Sequence, residues 1–259
     1  MKTIITSAIA FLLALFASAQ EQPKKDPDTM RINLPNKEVL VITIADDSSA
    51  TVKKSKNYDG HWAGLEFGPT VLMNNSFTTN FPGHPEFKND PGKSFSWNLN
   101  LLQHKFAIAK NYFGVVTGLG FNFKGIGLGQ YMLNQTDSSL VAMKDTVNTY
   151  DKNKLRATYL TVPLLLEFCS SGDASKTSFY LDAGIVAGVR IGSSVKTIID
   201  GDKHKVKDSY GLNAFKLDAA VRMGYGNIGI FAYYSLLPLF DKSLTAAAYP
   251  LNVGVSLNF

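Results

Sequence analysis

The stretch FGVVTGLGFNF at 113–123 alternates between two kinds of residue. Phe113, Val115, Thr117, Leu119, Phe121 and Phe123 fall on one side of an extended chain. Gly114, Val116, Gly118, Gly120 and Asn122 fall on the other. Successive side chains of a β-strand point to opposite faces, so this is strand patterning with one bulky apolar face and one small polar face. The same rule holds in three further stretches. Residues 179–189 set Phe179, Leu181, Ile185 and Val189 against Tyr180, Asp182, Gly184 and Gly188. Residues 215–223 set Phe215, Leu217 and Val221 against Lys216, Asp218 and Arg222. Residues 251–259 set Leu251, Val253, Val255, Leu257 and Phe259 against Asn252, Gly254, Ser256 and Asn258. Four noisier segments, 63–71, 95–101, 159–168 and 228–236, bring the number of strands to eight. Pro69 and Pro163 interrupt two of them, and each is expected near a strand end or bulge because proline lacks a ladder donor.

The connections sharpen the case. Long ones (72–94, 124–158, 190–214, 237–250) alternate with short ones (102–112, 169–178, 224–227). An outer-membrane barrel has this arrangement, with long loops outside and short turns on the periplasmic side. A lipocalin-type soluble barrel also has eight strands. Two features favour the membrane. The small face, rich in Gly, Ser and Asn, suits the narrow interior of eight strands, and several strands reach the 9–11 residues that cross the hydrocarbon. Phe113, Phe123, Phe168, Phe179, Tyr234 and Phe259 lie towards strand ends, where interfacial girdles belong. The charges on the small face, Glu66, Glu167, Asp182, Arg190, Lys216, Asp218 and Arg222, are then a lumen network of both signs, within which Asp182 and Arg222 are expected to pair. The alternating end on Phe259 resembles the terminal-strand signal read by the barrel assembly machinery, carried by Leu251, Val253, Val255, Leu257 and Phe259.

Before the barrel, Met1-Lys2, the apolar run from Ile4 to Phe16 and Ala17-Ser18-Ala19-Gln20 have the layout of a signal peptide over 1–20, cleaved near Ala19 or Gln20. Residues 21–60 read as a periplasmic extension and linker with a β-hairpin at 29–44, and 61–259 as the barrel. Such an extension could meet a partner by strand addition.

Composition sets the outer limits. A mean hydropathy of −0.01 excludes a bundle of membrane helices. One Cys in 259 residues excludes a disulfide framework and any multi-cysteine metal cluster. The net charge of +5 is too mild to imply nucleic acid.

With TYLTVPLLLEF at 158–168 and YSLLPLF at 234–240 in view, the chain resembles the PorT-like outer-membrane β-barrel family of Bacteroidota over about residues 58–259. The resemblance implies a compact barrel; the family's founding member is linked to a secretion system, and no motif here carries that role over. The four histidines, His61, His84, His104 and His204, share no strand rim with a serine and a carboxylate in a recognisable spacing. Gly125, Gly127 and Gly129 are spaced like part of a phosphate loop, but no helix follows. We therefore expect an all-β, eight-stranded antiparallel transmembrane barrel in the outer membrane, with no catalytic, metal or cofactor residues. The expected role is structural, surface-interacting or secretion-accessory. The alternatives are a rim enzyme acting on lipid A or peptides, and a narrow solute channel. Expected partners are outer-membrane lipid, the assembly machinery and a periplasmic or surface protein.

Overall fold

The computed structural model describes Thr29–Asn33, Glu38–Thr43, Thr51–Lys56 and residues 60–259 except 88–89, 110–111, 137 and 172–176. The signal-peptide reading of 1–20 lies outside these residues. The chain divides into two units, 1–57 and 58–259. In the first, β1 (Thr29–Asn33) pairs antiparallel with β2 (Glu38–Thr43), and β2 with β3 (Thr51–Lys56). The third strand lies in the segment read as linker. Its sequence, TVKKSK, lacks the apolar alternation that marks the barrel strands.

The second unit is a closed ring. Its first elements are β4 (Gly64–Met73), β5 (Phe95–Ala109), β6 (Phe113–Gly127), the small hairpin β7 (Tyr131–Gln135) and β8 (Leu140–Lys144), and β9 (Lys152–Cys169). There follow β10 (Phe179–Ile199), β11 (Asp202–Val206), β12 (Phe215–Tyr225), β13 (Ile228–Ser235) and β14 (Tyr249–Asn258). Eight of these, β4, β5, β6, β9, β10, β12, β13 and β14, pair antiparallel in that order, and β14 returns to β4 to close the barrel. Long and short connections alternate around it.

Several strands outrun their expected bounds. β5 continues to Ala109, so His104 lies within a strand and not in a periplasmic turn. Bulges between Asn100 and Leu102 and between Ala107 and Ala109 reset its phase after Leu101-Leu102 breaks the alternation. β9 begins at Lys152 and β10 ends at Ile199, taking up chain read as loop.

Pro163 sits in mid-strand, not at an end or bulge. The β6–β9 ladder instead skips there, between Thr117↔Leu164 and Gly120↔Thr161, and the Thr117 hydroxyl donates to the Pro163 carbonyl at 2.9 Å. Pro69 faces a similar gap, where β14 meets β4 between Asn252↔Thr70 and Val255↔Phe67. The Asn252 amide fills it by donating to the carbonyls of Gly68 (3.1 Å) and Pro69 (2.7 Å). The backbones are close at this seam: a Cβ on Gly68 would land on the Val253 carbonyl oxygen, and one on Gly254 on that of Phe67.

Candidate functional site

The outward face carries the apolar residues and the inward face carries the charges. Leu65, Phe67, Trp97, Leu164, Leu166, Ile185, Val221, Ile230, Val253 and Leu257 are each at least a third exposed, while Glu66, Asn98, Asn122, Glu167, Asp182, Asp218, Arg222 and Ser256 are buried. A water-soluble barrel has the opposite arrangement.

Eight ionisable side chains are buried inside the barrel: Lys105, Lys124, Lys216 and Arg222 against Glu66, Glu167, Asp182 and Asp218. Near the short turns, Arg222 is the hub. Its Nε donates to Glu66 at 2.7 Å, Nη1 to Asp182 at 2.8 Å and Nη2 to Asn258 at 3.2 Å, while the guanidinium lies 5.3 Å from the centre of the Trp62 ring. Glu66 also accepts from the Tyr233 hydroxyl at 2.9 Å and from the Asn98 amide at 2.8 Å. Asn122 then donates to Asn98 at 2.6 Å and accepts from Lys216 at 3.2 Å. Lys216 pairs with Asp218 at 2.7 Å, and Ser235 donates to Asp218 at 2.8 Å. One string of hydrogen bonds thus crosses the lumen from Asp182 to Ser235. It joins five of the seven residues read as a network: Glu66, Asp182, Lys216, Asp218 and Arg222.

Glu167 centres a second cluster, adjoining the first at Asp182. It faces Asp182 across the β9–β10 ladder and pairs with Lys105 at 2.7 Å. It also accepts from the His61 backbone at 2.7 Å, with His61 Nδ1 at 3.0 Å and the Cys169 thiol at 3.4 Å. His61, Glu167 and Cys169 bring their donor atoms within 4.8 Å of one another. Yet Lys105 Nζ, 3.6 Å from Cys169 Sγ, already supplies the positive charge of this cluster, and Cys169 is fully buried. His61 stacks on Tyr180 at 4.2 Å. The spacing Glu167-x-Cys169 on one strand face was the signal available in the sequence. Lys105 was out of reach, because the alternation is lost at the bulge that precedes it. Lys124 lies on the inward face of β6, just past Phe123, the last bulky apolar residue of the alternating stretch.

Arg190 stands apart from both clusters. Its Nη1 donates to Ser193 Oγ at 2.8 Å and to the Ser209 carbonyl at 3.0 Å, tying the β10 bulge to the following loop. Leu251, Val253, Val255 and Leu257 face outward on the strand that closes the ring, and Phe259, just past its end, is exposed.

At the other end the long connections fold onto the mouth. Phe81, Phe87, Leu128, Leu140, Tyr210, Leu212, Leu239 and Phe240 form a buried apolar cluster with Leu72, Ile126, Leu155 and Tyr159 of the wall. Phe87 stacks on Phe240 at 5.1 Å. Backbone ties add specificity: Leu140 donates to Leu244, Asn213 to Leu239 and Asp241 to Gly211. Beyond β8, the Asp145 carboxylate accepts from the Asn148 amide, the backbone N–H groups of Asn148 and Val147, and the Tyr150 hydroxyl at 2.7 Å. These donors, the Asn148 side chain first, hold it well below the usual carboxylate range. Partial burial and the neighbouring carboxylate push Tyr150 up to about 12.

Residues 45–241 match the family model described as outer membrane protein beta-barrel domain. No curated protein matches the chain. Among solved structures it is similar to Ail, the attachment invasion locus protein of Yersinia pestis, at 14% identity over 76% of this chain and 99% of that one, with a TM-score of 0.31. The complex of Ail with the heparin analogue sucrose octasulfate matches at 14% identity, 76% and 96% coverage and a TM-score of 0.31. Likeness of that degree carries neither ligand nor activity across.

Proposed function

Because the chain belongs to the outer membrane protein beta-barrel domain family, and so is an integral outer-membrane barrel, we propose that it works as a non-enzymatic anchor. Its closed lumen holds a structured outer cap for surface contact or for a secretion-accessory role. The filled lumen carries this reading. Four buried basic and four buried acidic side chains fill it, and an apolar layer covers its outer mouth. The finer assignments belong to the same proposal. The segments 158–168 and 234–240 support PorT-like membership and a source in Bacteroidota, residues 1–20 direct export and are cleaved, and the outward row ending at Phe259 engages the assembly machinery. The 29–56 strands meet a periplasmic partner.

Planar-bilayer recording of the full-length protein tests the sealed lumen, with conductance expected to stay at baseline. Protease shaving of intact cells tests orientation, with cleavage expected in 74–94, 128–151, 200–214 or 236–248. Steady ion current, or protection of all four segments, would overturn the proposal.

A further inference from the structure

On one side of the ring, β9 and β10 rise past the apolar band and β11 pairs with β10, forming a three-stranded flap. The face of this flap that continues the outer wall is cationic. β9 contributes Lys152, Lys154 and Arg156. Lys154 stands directly opposite Lys196, and Lys196 directly opposite Lys205, so three ammonium groups share one cross-strand row. In the next row Ile198 lies between Lys152 and Lys203. No Asp or Glu occupies this face, and among the described residues none of these cations forms an ion pair. Like charges directly opposite on paired strands destabilise the pairing. A multivalent anion seated on the face reverses that cost.

Beneath the flap lies a different surface. Phe95, Trp97 and Phe123 point outward at the loop end of the band, and Trp97 stacks on Phe123 at 4.0 Å. A groove of about 520 Å³ joins the aromatic floor to Lys154, Arg156, Lys205 and Lys207. Along β9 the outward residues change from Leu160 through Thr158 to Arg156, so the cations begin where the hydrocarbon ends.

We propose that this groove docks a phosphorylated, acylated glycolipid of the outer leaflet, of the lipid A class. Its phosphates sit among Lys154, Arg156, Lys205 and Lys207, and its acylated end lies along Trp97 and Phe123. Arginine's planar fork matches phosphate oxygens two at a time. A soluble polyanion would satisfy the cations, but has no use for an aromatic floor turned towards hydrocarbon. That difference in height selects the lipid.

The test uses the folded full-length protein in nonionic detergent, with binding read by native mass spectrometry and stability by the midpoint of heat-modified gel migration. Diphosphoryl lipid A is compared with the same lipid lacking phosphates, with inorganic phosphate and with a soluble sulfated polysaccharide. Diphosphoryl lipid A is expected to bind at least tenfold more tightly than the dephosphorylated lipid. The triple variant K154Q/R156Q/K205Q is expected to weaken it about a hundredfold at low salt, about one factor of five per charge. The same variant should raise the lipid-free midpoint, because it relieves the cross-strand repulsion, so misfolding cannot mimic the result. Trp97→Ala should weaken the lipid while leaving inorganic phosphate unaffected. Equal binding of the two lipids, an unchanged triple variant, or displacement of lipid by equimolar inorganic phosphate would overturn the proposal. So would a sulfated polysaccharide that binds equally well to the W97A protein and resists displacement by lipid A.

Discussion

Replacing Arg222 by Met keeps an unbranched apolar side chain and removes the guanidinium that serves two carboxylates and lies over Trp62. Both ion pairs are shut off from water: the side chains of Arg222, Glu66 and Asp182 are 0%, 0% and 1% exposed. Deleting one member of a buried pair costs about 3–5 kcal/mol, because the other is left charged and unpaired. The two carboxylates do not share that loss equally. Glu66 keeps the Tyr233 hydroxyl and the Asn98 amide. Asp182 keeps no comparable donor and faces the Glu167 carboxylate across the ladder. Arg222→Met should therefore destabilise the barrel by about 3–5 kcal/mol, mostly through Asp182. Adding Asp182→Asn should restore more than half of that loss, whereas adding Glu66→Gln should restore less. Urea titration in phospholipid vesicles, followed by heat-modified gel migration, measures all four proteins. If Arg222→Met unfolds within about 0.5 kcal/mol of the parent, the size of an ordinary surface substitution, the buried hub has been misread. Equal rescue by the two second-site changes would refute the uneven split.

Other perturbations separate the cap from the wall. Phe240→Ala removes a buried ring stacked on Phe87 and should cost about 3–5 kcal/mol of cap stability. Protease cleavage in the long connections should accelerate while the membrane-embedded band still shows heat-modified migration. Gly68→Ala drives a Cβ into the Val253 carbonyl at the closing seam, so the yield of heat-modifiable protein should collapse, while Gly192→Ala, exposed and with no atom near its Cβ, leaves that yield intact. At Asp145 the depressed carboxyl contributes its full stabilisation above the ordinary value of 3.8 and loses it only as pH falls through the lowered one. Carbon-13 titration should therefore show Asp145 ionised well below that value, and Asn148→Ala should move its midpoint upward.

The eight strands were legible because each repeats the same contrast between lipid and lumen. Reading failed where the contrast changes phase. On β9, Leu160 to Phe168 place their apolar members outward, but Leu155, Ala157 and Tyr159 place theirs inward, under the cap. The strand never stops alternating; water replaces lipid outside it, and the loops place an apolar core inside it. Searching for an outward apolar row therefore ends the strand near Tyr159, although the ladder continues to Lys152. The cap was illegible for a related reason. Phe81, Leu140, Leu212 and Phe240 lie in four separate connections, and only the closed ring brings them together. The Asp182–Arg222 contact was accessible because both lie on small faces at matching distances from the turns. Glu66, the second carboxylate that Arg222 serves, comes from a strand across the lumen.

The lumen charges also bear on how the ring finds its register. A buried ion pair adds little net stability over an apolar pair of similar volume, so pairing energy alone does not explain four cations in a barrel interior. A register shift by one residue does. Because side chains alternate with period two, a single slip turns a whole strand inside out. For β12 it would put Lys216 and Arg222 into hydrocarbon together with Asp218. A basic residue on the lipid face costs about 2–4 kcal/mol at the midplane and about 0–1 kcal/mol near the interfaces; Lys216 and Arg222 lie towards opposite ends of β12, so the two cations set the slipped ring about 1–4 kcal/mol above the native one. The same slip costs less where the inward face is uncharged: β14 would expose Asn252, Gly254 and Ser256, and nothing ionised. That strand must take its register from elsewhere, and it has the means. Gly68 and Gly254 fit only against each other's strand, and the Asn252 amide reaches the Gly68 and Pro69 carbonyls in one alignment only. Charge fixes β12, and close backbone fit fixes the seam where β14 meets β4.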